Sequence, residues 1–131
     1  MLDHLDAVHA APDHHKVLFE NHRVRVLETV LRPGEETAVH THVWSGVLYI
    51  ISWSDFERYD EHRNVVMDSA RLIPTPIPGT VVPATPFPPH SLKNVGTELI
   101  HVILTEFKEP EVETLNPSSL SVAPNSGEAT S

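Results

Sequence analysis

At 131 residues the chain has room for one domain with one core, and too little for two ordinary ones. Its 18 acidic residues against 9 basic give a net charge of −9, which argues against nucleic acids and anionic membrane surfaces as partners, because both require a cationic patch. The absence of cysteine excludes disulfides, thiolate metal sites and a cysteine nucleophile.

The opening "MLDHLDAVHAAPDHHKV" has no basic start and no unbroken apolar stretch, so it does not read as a signal peptide. No run approaches the roughly 18 apolar residues needed to span a membrane, and a cytoplasmic protein is the default expectation. Residues 1–15 are polar, with Pro12 as a stop. They read as a short arm with at most one helical turn, able to pack on the body or on a second subunit. His4, His9, His14, His15 and His22 lie in polar or N-terminal contexts and read as solvated. From Lys16 the pattern is that of strands. "KVLFE" is followed by "RVRVLETVL", where Val24, Val26 and Val30 share one parity that reads as the inward face; Glu28 falls on it too. A Pro33-Gly34 turn leads to "TAVHTH". "GVLYIISW" is apolar on both faces, as in a strand buried on both sides or one with a face in a dimer interface. "SDFERYDEHRNVVMDS" reads as a hairpin. The proline-rich "RLIPTPIPGTVVPATPFPPH" admits no helix and reads as extended segments with a turn at Pro78-Gly79. "HSLKNVGTEL" turns at Asn94–Gly96, and "ELIHVILTEF" is the last strong strand. Residues 109–131 are rich in Ser, Pro, Gly and Asn without aromatics, and read as a flexible tail. The domain map is therefore an arm at 1–15, a body of eight to ten short strands at 16–108, and a tail at 109–131. The body is all-β, a sandwich or barrel.

Ten histidines raise the question of metal. His40 and His42 sit at strand spacing, so both side chains point the same way, roughly 6.5–7 Å apart along the strand. Two such imidazoles can converge on one ion with nitrogens about 2.0–2.1 Å from it. No acidic residue lies between His42 and Asp55 to complete the set. Glu28, on the expected inward face, is a candidate supplementary or outer ligand; its other reading is a carboxylate at the wet end of its strand or paired with arginine. Trp44, Tyr49, Phe87 and His101 are candidate pocket-lining residues, and Trp53 reads as ordinary core. There is no phosphate loop or nucleophile elbow, and the serines at 118–126 lie in the tail.

Taken together, "PGEETAVHTH" and the later "PFPPHSLKN" resemble the two motifs of the cupin superfamily, a glycine turn with HxH and a proline/glycine segment with HxxxN. "FENHRVRVLETVLRPGEETAVHTH" and "PFPPHSLKNVGTELIHVILTEF" look like the opening and closing halves of small single-domain cupins. The resemblance implies a double-stranded β-helix, a jelly-roll barrel, that folds His90 back beside His40 and His42 as metal ligands, with Asn94 as a turn residue. It also implies a homodimer. The family's glutamate is missing: the expected positions hold Val47 or Gly46. Three readings stay open: one divalent metal (Fe, Ni, Mn or Zn) on three histidines, a metal that borrows Glu28, or no metal. The first fits an enzyme, dioxygenase-like or an isomerase or lyase, acting on a small and anionic organic acid. The last fits a cupin that binds a small metabolite without catalysis.

Overall fold

The computed structural model describes residues 3–71 and 75–108. The expected tail at 109–131 lies outside the described residues. Nine strands follow one short helix: α1 (Ala7–Ala10), β1 (His15–Glu20), β2 (Val24–Leu31), β3 (His40–His42), β4 (Gly46–Ser52), β5 (Phe56–Asp60), β6 (Val65–Asp68), β7 (Val81–Ala84), β8 (Phe87–Asn94) and β9 (Ile100–Phe107). They form two antiparallel sheets, ordered β1-β2-β9-β4-β7 and β3-β8-β5-β6. The all-β expectation is met. Among the described residues no helix is long and apolar enough to cross a membrane.

Turn chemistry sets the connections. Gly34 and Gly79 take φ of 85° and 90°, the left-handed region that a side chain disfavours. In the β5–β6 hairpin, Asp60 Oδ1 accepts from the backbone N–H groups of His62 and Asn64, holding the polar tip. Asn94 is fully buried; its Nδ2 donates to the Leu31 and Glu98 carbonyls and its Oδ1 accepts from Gly96 N–H, so it locks the turn into β9.

The core lies between the sheets. Leu31, Ile50, Phe56, Ile100 and Val102 form one cluster, with Trp53 and Leu92 against it; Ala7, Leu27 and Leu104 form a second. Alternation along β2 buries Arg25, Leu27, Thr29 and Leu31. This reverses the parity read from the valines: Val24, Val26, Glu28 and Val30 look outward. The valine face is apolar without being the core face, and a buried Arg25 disguised the true one.

The arm packs on the body. Ala7 and Ala11 are buried, Thr41 N–H donates to the Leu5 carbonyl at 2.7 Å, and Asp6 forms a parallel bridge with Thr41. Asp6 caps α1 by accepting from Val8 N–H and also takes both Nη atoms of Arg25 at 2.9 and 2.8 Å. Arg25 Nε donates to Glu106 Oε1 at 2.6 Å.

Candidate functional site

Three strands carry histidines to one place. β3 supplies His40 and His42, β8 pairs His90 opposite His40, and β1 opens with His15. All four are buried. The ligand nitrogens of His15, His40 and His42 lie within 4.8 Å of one another, a group that could hold a metal ion. The His90 ring centroid is 4.4 Å from that of His40 and 5.7 Å from that of His42. His15 is a candidate ligand that sequence reasoning missed. Its polar context in "DHH" pointed to solvent, yet the buried Ala11 just ahead turns the chain inward and starts β1 at His15 itself.

Each imidazole is held by one nitrogen. Nδ1 of His15 donates to the Ala11 carbonyl at 2.9 Å, Nδ1 of His40 to the Ala38 carbonyl at 2.7 Å, and Nδ1 of His90 to the Pro88 carbonyl at 2.8 Å. A carbonyl only accepts, so the proton of each neutral ring sits on Nδ1 and Nε2 keeps its lone pair. His42 Nδ1 faces Glu106 Oε2 at 3.4 Å. This is the outer-sphere arrangement that orients metal-ligating histidines. His15, His40 and His90 are also neutral. Burial, with the neighbouring His40 ring, depresses His15 to about 3. Burial, with His90, depresses His40 to about 3. Burial and the nearby His42 and Arg58 take His90 down to about 4, against the bond to Pro88. The donor set therefore fits an imidazole-binding divalent transition metal: nitrogen ligands, with His15, His40 and His90 deprotonated at neutral pH, braced from behind.

A carboxylate does accompany the cluster, from β9. Glu106 is 0 % exposed and reaches His42 while accepting from Arg25. Burial opposes the charge on Arg25, but the bonds to Asp6 and Glu106 outweigh it and raise its pKa. Neither expected position can serve. Val47 looks outward, and a Cβ on Gly46 would lie 1.9 Å from the Thr105 carbonyl oxygen. Glu28 is corrected too: it sits on the outer face of β2, where its Oε2 accepts from His101 Nε2 at 2.7 Å.

The histidines open on a cavity of about 90 Å³ between the sheets. A single water occupies about 10–15 Å³ on such a measure, so the space suits several waters or a molecule of a few heavy atoms. Trp44 and Phe87 line it, as expected. Tyr49 and His101 do not: Tyr49 lies on the exposed face of β4, and His101 is engaged with Glu28 outside the sheet. Trp53 belongs both to the core and to the cavity wall. Arg58 of β5 lines it as well.

No protein-family model matches the chain, and no curated protein matches it. Solved structures do. A cupin domain from Bordetella pertussis Tohama I superposes with a TM-score of 0.58 at 20% identity, covering 72% of this chain and 92% of that one. An RmlC-like cupin family protein with a double-stranded β-helix fold, from Methanocaldococcus jannaschii, superposes with a TM-score of 0.52 at 15% identity, covering 77% and 84%. With these likenesses and its own two-sheet topology, the chain has the fold of a small single-domain cupin, the double-stranded β-helix.

Proposed function

We propose that the chain is a mononuclear metal-dependent enzyme, dioxygenase-like, acting on a small organic acid, with one divalent Fe, Mn, Ni or Zn held by the histidine cluster. The observation that supports this reading best is the set of buried imidazoles His15, His40 and His42, each engaged through Nδ1 so that Nε2 is left to ligate. His90, braced by Pro88, adds a further imidazole beside them. Such a metal would supply a Lewis-acid and redox centre. The chain's own part is to orient the rings through the Ala11, Ala38 and Pro88 carbonyls, to hold His42 through Glu106, and to keep water scarce with the apolar walls of the cavity. Isomerase or lyase chemistry would use the same residues. We also propose a homodimer through the outer face of the five-stranded sheet.

Metal analysis of untagged protein tests the reading. The expected result is close to one transition metal per chain, lost in His40→Ala and reduced in His15→Ala and His90→Ala. Protein that takes up none of Fe²⁺, Mn²⁺, Ni²⁺ or Zn²⁺ would overturn it. A second reading, a metal-free cupin that binds a metabolite, draws on Glu106: the carboxylate beside the cluster is already committed to Arg25 and His42.

A further inference from the structure

The cavity has two chemically distinct ends. The histidines occupy one. Toward β5 stands Arg58, the sole permanently charged side chain among the described residues that line the space. Register places Arg58 opposite Leu92, two residues along β8 from His90. Its guanidinium carbon lies 4.5 Å from the Phe87 ring centroid and 5.7 Å from that of Phe56. Aromatic faces hold a guanidinium in plane and leave its N–H edge to bind.

That edge has no hydrogen-bond partner among the described residues. Among the described residues no carboxylate lies within 4.0 Å of Arg58, whereas buried Arg25 has two. Arg58 Nε is buried without a hydrogen bond. Among the described residues Trp53 Nε1 is the other buried side-chain donor left without one, and it too belongs to a residue of the cavity wall. Trp53 stacks edge-on to Phe56 at 5.4 Å, so both donors are grouped around one phenyl ring. Buried polar groups are ordinarily satisfied, and two orphan donors on residues of one cavity wall point to an acceptor from outside. Water would satisfy a donor but leave the charge uncompensated. A carboxylate does both, and its two oxygens match the guanidinium fork.

We propose that Arg58 and the indole N–H of Trp53 form a carboxylate-recognition pair that binds a short monocarboxylate by its acid group, with its alkyl remainder along Leu48, Leu92, Ile100 and Val102. The assignment deepens the reading of a metal enzyme and rests on it for what happens to the bound acid. Phe87 contacts both groups: its ring centroid lies 5.1 Å from that of His90 and 4.5 Å from the Arg58 guanidinium carbon. A ligand whose carboxylate is taken by Arg58 then presents its carbon chain to the rest of the cavity.

Calorimetric titration with propionate, and with propionamide as its neutral counterpart, tests this on metal-free and on Zn²⁺-loaded protein. Propionate is expected to bind the metal-free protein at least about tenfold more tightly than propionamide, and Arg58→Gln to remove about that factor. Arg58→Lys should restore part of it, and Trp53→Phe should weaken binding severalfold. A second readout needs no change at Arg58: the Trp53 indole N–H resonance, assigned by comparison with Trp44→Phe, should move downfield on adding propionate to the native chain. Equal binding of the two ligands, or an indole resonance that stays in place at saturation, overturns the proposal. Propionate binding that requires Zn²⁺ and ignores Arg58→Gln also overturns it, while leaving the metal reading intact. Arg58-dependent binding by protein that takes up no metal supports the pair and removes the metal reading instead.

Discussion

His15, His40 and His90 share a property that reaches beyond ligation: the fold holds them neutral. Their folded pKa values of about 3, 3 and 4 lie far below the ordinary 6.5. In the unfolded chain each ring takes a proton as pH falls through about 6.5; in the folded metal-free chain it does not. The unfolded state therefore binds more protons, and stability declines on acidification from about pH 6.5 until the folded values are reached. Each histidine contributes on the order of 2 kcal/mol of loss between pH 7 and pH 5. Urea unfolding of chelator-treated protein at the two values should show the loss, and His15→Asn should reduce it by roughly a third. A stability equal at pH 7 and pH 5 would mean the rings are not held neutral. Of these residues, the strand spacing of His40 and His42 and the HxxxN pattern at His90 were legible in the sequence. His15 was not, because its burial depends on how the arm docks. Glu106 and Arg58 were not, because in "LTEF" and "FERYD" each sits among other charged or polar residues, and only the pairing of distant strands decides which charge turns inward.

Among the elements, the arm and β2 hold each other through Arg25. Asp6 reaches Arg25 from the arm, Glu106 reaches it from β9, and Glu106 continues to His42. The three charged members are buried, two carboxylates on one guanidinium; removing Asp6 leaves the Arg25–Glu106 pair but takes the acceptor from two buried Nη donors and the cap from α1, at a cost of about 2–4 kcal/mol. Asp6→Ala should cost that amount in urea unfolding and should raise amide exchange at Thr41 and His14, whose N–H groups bond to Leu5 and Ala11 of the arm. Because Ala11 also supplies the carbonyl that orients His15, metal affinity should fall with it, by about 10–100-fold. Unchanged stability and exchange in Asp6→Ala would show the arm to be dispensable. The same network explains why alternation misled at β2. A two-residue period identifies two faces and leaves open which is inward, and valines on one side against Leu27, Leu31, Thr29 and an arginine on the other favour the wrong one. Elsewhere the punctuation sufficed: the Pro-Gly turns, the polar hairpin tip and the Asn94 turn bound the strands where the sequence places them.

For the whole molecule, the proposed homodimer would use the apolar outer face of the five-stranded sheet. Val47, Tyr49 and Ile51 of β4 look outward, with Val81 of β7 at 59% exposed beside Tyr49, and Phe19 and Phe107 toward the other edge. The Glu28–His101 pair sits within this face as a mutually satisfied polar centre. Large exposed apolar side chains grouped on one face favour association, and a two-fold axis through one self-complementary face would close the assembly at two copies. The interior of β4 is buried by Gly46 and Ile50 and its exterior is open, so its two-sided apolar character divides between the core and this face. Sedimentation at tens of micromolar should find a dimer. Tyr49→Glu places a carboxylate where Ile103 and Val81 flank it, and should weaken the dimer by at least about 100-fold. Because Tyr49 points away from the cavity, the monomer so produced should keep its metal content and its histidine geometry. A native chain that sediments as a monomer would remove the assignment of this face, and a Tyr49→Glu monomer that lost its metal would show that the two sheets are coupled more closely than their opposite-facing side chains imply.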